Sequence, residues 1–415
     1  MAAQGESYYP VFPPATKLHI STGLSFPEAC AHHITNTFHE SKVYVIVSGS
    51  ISKTDNFTRL QKALGDKIVG VRKGIKPHTP WDDIVDIVKD MEKKGVDLII
   101  TLGAGSLTDG AKIIKYALAN NVSSLDDLAR LASEAKTEGL KPPQLPVINI
   151  PTSLSGGEYS IIAGGTDTRN NHKVLFTHPD IGADIVILDP ALSISTPERI
   201  WLSTGVRGID HCVEGLCSLV KPGAERDEGF AKGLKLLVPS LLITKKDWKN
   251  EDARLKEMLG VVESMKGMSQ GIPMGGSHGI GHQLGPLGVG HGETSCVMLP
   301  AILKYNFKYG DEKVRKPQQK VLDLLWAEET VAEVLKKRGL TEEGSDAGDV
   351  VGAIISELGM PRTLKDVGVG RNQLDALAEN CLKDVWLKVN PVPLIRKEQV
   401  LEVLEMVVGD TKSNL

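Results

Sequence analysis

Asp97-Leu98-Ile99-Ile100-Thr101-Leu102-Gly103-Ala104-Gly105-Ser106-Leu107-Thr108-Asp109-Gly110-Ala111-Lys112 is the stretch that decides the fold. Its opening reads as a strand, and the glycines that follow open a helix running through Leu118. Strand, Gly-x-Gly-Ser and helix in that order form a phosphate cradle. Glycines let backbone N–H groups approach an anion, Ser106 adds a donor, and the helix N-terminus carries a partial positive charge. The plainer alternative is a tight strand-to-helix turn that needs glycine for its backbone angles.

The flanking sequence repeats the strand–helix alternation. Val43-Tyr44-Val45-Ile46-Val47 is a continuous apolar run ended by Ser48-Gly49-Ser50, the pattern of a strand buried on both faces of a parallel sheet. Ile68–Val71 reads as another strand, and Pro80–Lys94 as an amphipathic helix with Ile84, Val85, Ile87, Val88 and Met91 inward. Earlier, Lys17–Ser21 reads as a strand, Thr22-Gly23-Leu24 as its turn and the proline-rich start as irregular. Later, Pro146–Ile150 is a strand that ends in Pro151-Thr152-Ser153-Leu154-Ser155-Gly156-Gly157-Glu158, a second hydroxyl- and glycine-rich loop. Two such loops at one sheet edge suggest a dinucleotide, because ligands of α/β domains sit beyond the carboxyl ends of the strands. Ile185–Leu188 closes this region, and Thr196-Pro197-Glu198 reads as an N-cap with proline at the first helical position. The expected organisation is an α/β dinucleotide-binding domain with a parallel sheet over residues 1–190, then an all-α domain over residues 191–415. The charge-rich stretches 245–256 and 336–349 read as solvated faces and a loop.

A chain of 415 residues exceeds what one hydrophobic core usually organises, which agrees with two domains. With 41% hydrophobic residues, 24% charged residues and a net charge of −4, it lacks the basic footprint of a nucleic-acid binder. The opening residues carry neither a basic run nor an apolar core with a cleavage site, and no segment is apolar for long enough to span a bilayer, so a cytoplasmic location is expected. Five scattered cysteines without Cys-x-x-Cys spacing argue for reduced thiols rather than disulfides or a zinc ribbon.

Gly275 to His291 holds three of the eleven histidines. His278 and His282 are four apart, so both rings leave one helix face, and His291 lies beyond a glycine-broken turn that can swing it back. Histidines that cap helix ends or sit satisfied in the core are the alternative. Around Ile200–Leu219 a mostly apolar helix carries Arg207, Asp210, His211 and Glu214 within about 100° of arc at 3.6 residues per turn. Buried charge must be paired or used, so this stripe is an internal ion network, the wall of a polar site, or both.

Together these segments resemble the iron-containing alcohol dehydrogenase superfamily, related in fold to dehydroquinate synthase. Gly103-Ala104-Gly105-Ser106 with Asp109 and Lys112 is similar to its pyrophosphate loop, and His278, His282 and His291-Gly292 to its three-histidine segment. Pro151-Thr152-x-x-x-Gly156-x-Glu158, His211-Cys212-Val213-Glu214 and His291-Gly292-Glu293-Thr294 resemble the maleylacetate reductase branch. The resemblance implies cofactor contacts at Ser48, Gly49, Lys53, Gly103, Ala104, Gly105, Ser106, Asp109, Thr152, Ser153 and Ser155. Many family members carry an Asp after the first of these strands that repels a 2′-phosphate. Ser48-Gly49 with Lys53 nearby lacks it, so NADPH is admitted beside NADH.

The resemblance implies a divalent metal, iron or zinc, on His211, His278 and His291 with Asp210 or a water as the fourth ligand. Against this, the Asp expected four residues before the first histidine is Arg207, and a guanidinium cannot ligate a cation. Without metal, Arg207 and protonated histidines would serve as the electrophile, or Arg207 would pair with a substrate carboxylate. His282 is the candidate proton relay. The implied activity is NAD(P)H-dependent hydride transfer to a small carbonyl compound in a homodimer, with a keto acid such as maleylacetate as the substrate to which the branch points. The competing readings are a dehydroquinate synthase-like lyase or cyclase that uses NAD transiently, and a non-catalytic cofactor-binding relative.

Overall fold

The computed structural model describes residues 2–12, 17–76, 78–132, 139–221 and 223–409, and its chain divides into two compact units, Met1–Thr196 and Pro197–Leu415.

The first unit is built on a seven-stranded sheet from β1 (Ser7–Pro10), β2 (His19–Thr22), β3 (Val43–Val47), β4 (Ile68–Lys73), β5 (Leu98–Gly103), β6 (Val147–Pro151) and β9 (Ile185–Leu188). The order is β1-β2-β9-β6-β5-β3-β4, parallel throughout except for the β1–β2 pair. A separate antiparallel hairpin pairs β7 (Ile162–Asp167) with β8 (His172–Thr177). The helices of this unit are α1 (Phe26–His33), α2 (Asp55–Leu64), α3 (Trp81–Lys94), α4 (Gly105–Ala119), α5 (Leu125–Ala132) and the short α6 (Pro190–Ser193). Each of β3, β5, β6 and β9 is buried along its whole length, as central strands covered on both faces must be.

Several elements depart from the sequence reading. The strand expected at residues 17–21 runs from His19 to Thr22, because Thr22 still pairs with Leu188. The start is not irregular throughout: residues 7–10 form the antiparallel edge strand β1, while Pro13 and Pro14 lie outside the described residues. Thr196 does not cap the next helix. Its hydroxyl donates to the Thr152 carbonyl at 2.8 Å, and Pro197 occupies the cap position. The β7–β8 hairpin escaped notice because Gly164-Gly165 is a poor strand signal. A Cβ at Gly164 would meet only the movable end of the Lys173 side chain across the pair, at 2.7 Å.

The second unit is helical throughout its described residues. It comprises α7 (Glu198–Cys217), α8 (Ala224–Lys246), α9 (Glu251–Met268), α10 (Gly276–Leu284), α11 (His291–Tyr309), α12 (Glu312–Trp326), α13 (Glu329–Lys337), α14 (Ala347–Glu357), α15 (Leu374–Cys381), α16 (Val385–Val389) and α17 (Lys397–Glu405). Ile280 and Leu284 of α10, Val297 and Ile302 of α11, Leu387 of α16 and Leu404 of α17 share one apolar core. No helix among the described residues is long and apolar enough to cross a membrane. All five cysteines are buried and free.

Candidate active site

In the first unit the sheet order places the ends of β3, β5 and β6 side by side. Ser48 N–H donates to the Leu102 carbonyl at 2.9 Å and Thr152 N–H to the Gly103 carbonyl at 3.1 Å, which ties the three loops together. Gly103 has φ +153°, and a Cβ there would lie 2.6 Å from Leu107 and 3.0 Å from Ser48. Ala104 is extended, its carbonyl accepts from Leu107 N–H at 3.0 Å, and α4 starts at Gly105, where first-turn N–H groups have no carbonyl a full turn back within the helix. Ser153 and Ser155 hydroxyls are 3.1 Å apart, and Ser155 Oγ lies 3.5 Å from where a Cβ of Gly105 would stand. These residues form one backbone cradle that a side chain would fill, and its donor chemistry fits a pyrophosphate.

Asp109 behaves differently from the other expected cofactor residues. Its carboxylate accepts from Gly164 N–H at 3.3 Å and lies 3.8 Å from Lys112 Nζ, so it holds the β7–β8 hairpin on α4. Lys112 is buried and donates to the Gly157 and Ile162 carbonyls, which pins the second loop. Lys53, exposed just after β3, and Lys73, paired in register with Val47 at the end of β4, are the cations near Ser48 and Gly49.

In the second unit the polar stripe of α7 is buried, with Arg207 3% exposed and Asp210 0%. Glu214 accepts from Gly275 and Ser277 N–H groups, both at 2.7 Å, and so caps the start of α10 with a carboxylate. Glu214 also accepts from His278 Nδ1 at 2.8 Å, while Asp210 stands 3.3 Å from the same nitrogen. Asp210 Oδ2 further accepts from the Ser277 hydroxyl at 2.8 Å and the Ser295 hydroxyl at 2.6 Å. Arg207 Nη1 donates to Ser295 Oγ at 3.1 Å, so it reaches Asp210 only through that serine. An internal ion network within the α7 stripe would have paired Asp210 and Glu214 with Arg207. Both have instead closed on His278.

Burial and Arg207 push the His278 imidazole down, but Asp210 and Glu214 outweigh them and raise its pKa. Burial pushes the Asp210 carboxyl up, and the opposing pull of His278, Arg207 and Ser295 brings it below its ordinary range. His211 stacks on His278 with ring centroids 5.0 Å apart. Burial, His278 and Arg207 drive it well below the usual imidazole value, so it stays neutral. Arg207 Nε, Asp210 Oδ1, His211 Nδ1 and His278 Nε2 are buried without a hydrogen-bond partner.

His282 sits one turn beyond His278 on α10, as its spacing predicts, with Nδ1 2.8 Å from Asp384 Oδ2. Burial lowers its pKa against the pull of Asp384. Trp386 packs against both rings, 4.8 Å from His282 and 5.6 Å from His278 between centroids. Asp384 and Trp386 escaped the sequence reading because only folding brings them to α10. The one local signal is an Asp two residues before Trp386 at a helix start, a common N-cap pattern.

Among the described residues, one group of His, Cys, Asp and Glu brings three ligand atoms within 4.8 Å of one another: Asp210, Glu214 and His278. The expected set of Asp210, His211, His278 and His291 is therefore not assembled as one cluster. His291 lies exposed at the first position of α11. The donors that do meet are committed in part, with Asp210 Oδ1 and His278 Nε2 left without a partner. Both Glu214 oxygens hold amides, Asp210 Oδ2 holds two hydroxyls, and His278 Nδ1 faces both acids. The Arg207 guanidinium stands where the resemblance would place an Asp ligand. Asp210, Glu214 and His278 are thus a candidate metal site, with Asp210 Oδ1 and His278 Nε2 unpartnered, and the buried Arg207 guanidinium beside them opposes a cation there.

A family model described as iron-containing alcohol dehydrogenase matches residues 22–190, and its C-terminal counterpart matches residues 201–408. The chain is 46% identical over 382 residues to the dehydrogenase ALT3 of Alternaria alternata, covering 88% of this chain and 99% of that protein. Maleylacetate reductase from Agrobacterium tumefaciens superposes with a TM-score of 0.73 at 23% identity, covering 97% of each chain. Sulfoacetaldehyde reductase from Bifidobacterium kashiwanohense, in complex with NAD+, gives a TM-score of 0.79 at 18% identity, covering 97% of this chain and all of that one. These two likenesses are of fold.

Glu214→Ala removes the acceptor of two buried amides and of His278 Nδ1. We expect a loss of roughly 3–5 kcal/mol, read as a lower urea midpoint, because buried donors are left unpaired. An unchanged midpoint would show that the capping of α10 by Glu214 is dispensable.

Proposed function

Since the chain belongs to the iron-containing alcohol dehydrogenase family and is an oxidoreductase of it, we propose that it reduces a carboxylated ketone or aldehyde with NADPH or NADH, without a catalytic metal. The observation that carries this reading is Arg207 Nε and His278 Nε2, two buried cationic edges without a protein partner. Bound at the Gly103–Ser106 cradle, a reduced nicotinamide dinucleotide supplies the hydride.

As negative charge grows on the carbonyl oxygen, Arg207 and the imidazolium of His278 stabilise it from a water-poor setting. Such donors are effective because they are already oriented and need no reorganisation. Asp210 and Glu214 keep His278 protonated, and Ser295 holds the guanidinium in place. His211, neutral and stacked on His278, adds no competing charge. His282, 33% exposed at its side chain, delivers the proton that completes the alcohol. A carboxylate on the substrate gives the same cationic pocket a second anchor, which favours a keto acid over a simple aldehyde.

In the first unit, Ser48, Gly49 and Ser50 provide no acid to repel a 2′-phosphate, and Lys53 and Lys73 attract one. Lys53→Ala should raise the NADPH KM several-fold while leaving the NADH KM within about twofold, the scale of an exposed ion pair. Equal effects on both cofactors would remove Lys53 from the 2′-phosphate.

Three assays test the central reading. Against a panel of keto acids and simple aldehydes, nicotinamide absorbance should fall with each turnover for the keto acids. Reduction of aldehydes alone would sink the substrate assignment, and binding without net turnover would favour the synthase-like chemistry. Arg207→Met should lower kcat/KM for a keto acid by about 10²–10³, the usual loss on removing an oxyanion donor. Dialysis against a chelator should leave activity intact. One divalent ion per chain, with activity lost on its removal, would overturn the metal-free proposal.

A further inference from the structure

Asp384 is held at both of its oxygens. Oδ2 accepts from His282 Nδ1 at 2.8 Å, and Oδ1 accepts from the Trp386 N–H at 2.9 Å, the N-cap bond of α16. The two bonds join α10 to α16 at a point of very close approach. A Cβ at Gly279 would stand 2.2 Å from the Leu387 side chain, so glycine is what admits Leu387 of α16 against the histidine helix, with Asp384 Oδ1 in ordinary contact at 3.4 Å. Trp386, placed by the same cap, then packs against His282 and His278.

A carboxylate accepts and does not donate, so the hydrogen of this bond resides on His282 Nδ1. We propose that Asp384 is a positioning residue: it holds His282 with hydrogen on Nδ1 and so reserves Nε2 as the atom that exchanges a proton with the substrate oxygen. The inference rests on the proposed reductase reaction. Hydride addition to the carbonyl carbon breaks the π bond and sends its electron pair to oxygen. The imidazolium of His282 then gives its Nε2 proton to that oxygen and becomes the neutral Nδ1–H form. Nε2, which carries no proton in the resting neutral ring, takes one from solvent in each turnover, and the nicotinamide leaves oxidised. The opposite tautomer would put a hydrogen on Nε2 without positive charge behind it, a far weaker acid.

The experiment uses the full-length protein labelled with ¹⁵N-histidine, with His282→Gln to assign the His282 signals. Asp384→Asn retains one acceptor oxygen and cannot serve both the α16 cap and His282. Asp384→Ser still caps the helix but offers no carboxylate to the ring. In the unsubstituted protein near neutral pH, Nδ1 should give a pyrrole-type signal and Nε2 a pyridine-type one. Both variants should move His282 towards the Nε2–H form and lower kcat about 10²-fold, with KM and NADPH affinity within about twofold, as expected when a general acid loses its orienting partner. Asp384→Ser should keep its thermal midpoint, which separates this loss from unfolding. A pyridine-type Nδ1 in the unsubstituted protein, or unchanged kcat in both variants, would overturn the proposal. Were no carbonyl reduced at all, the functional reading would fail, yet the spectra would still decide the tautomer.

Discussion

Two carboxylates buried one turn apart on α7 constrain the whole second unit. Asp210 and Glu214 cannot remain unpaired out of water, and each finds its partners on other helices. Glu214 takes amides at the start of α10, Asp210 takes hydroxyls from α10 and α11, and both grip His278. The three helices are thereby locked in one relative arrangement by polar bonds as well as by apolar packing. The same bonds set the charge of the site. Two acids face one guanidinium and one imidazolium, a set that is already close to neutral. A divalent cation would have to compete with the proton of His278 and stand beside Arg207, the electrostatic cost on which the proposed metal-free reading rests.

The glycines of the Gly275–Gly292 stretch serve that arrangement. A Cβ at Gly292 would lie 2.5 Å from the Ser203 backbone, so the start of α11 can press on α7 only without a side chain. Gly279 does the same between α10 and α16. A ligand-facing glycine loop and a packing glycine look alike in sequence. Gly103, in the positive-φ region with Leu107 and Ser48 where a Cβ would stand, and most glycines of the histidine stretch are of the packing kind.

What could be read from the chain follows from this difference. Periodicity disclosed the central strands and α7, since burial on both faces leaves an unmistakable apolar run such as Val43–Val47. The four-residue spacing of His278 and His282 placed both on one face of α10. Glu214 was visible as a buried charge, but its partners lie 61 to 64 positions away, and nothing local distinguishes an ion pair with Arg207 from a helix cap. Asp384 lies 102 positions from His282, with no spacing rule to connect them. The edge strand β1 and the glycine-rich β7 were illegible for a third reason: their strand character comes from pairing partners rather than from their own composition.

The net charge of −4 gives the molecule no general attraction for anions, so the proposed function needs a local one in each unit. On the proposed function it comes, in the first unit, from backbone N–H groups at the start of α4, and in the second from the outward nitrogens of Arg207 and His278, whose charge Asp210 and Glu214 largely balance. Charges out of solvent are screened far less by salt than surface charges are. On the proposed function, recognition of substrate and pyrophosphate would therefore depend little on ionic strength. Discrimination between NADPH and NADH, which falls to exposed lysines, would weaken as salt rises. The two selectivities are physically separable, because one depends on desolvated donors and the other on solvated cations.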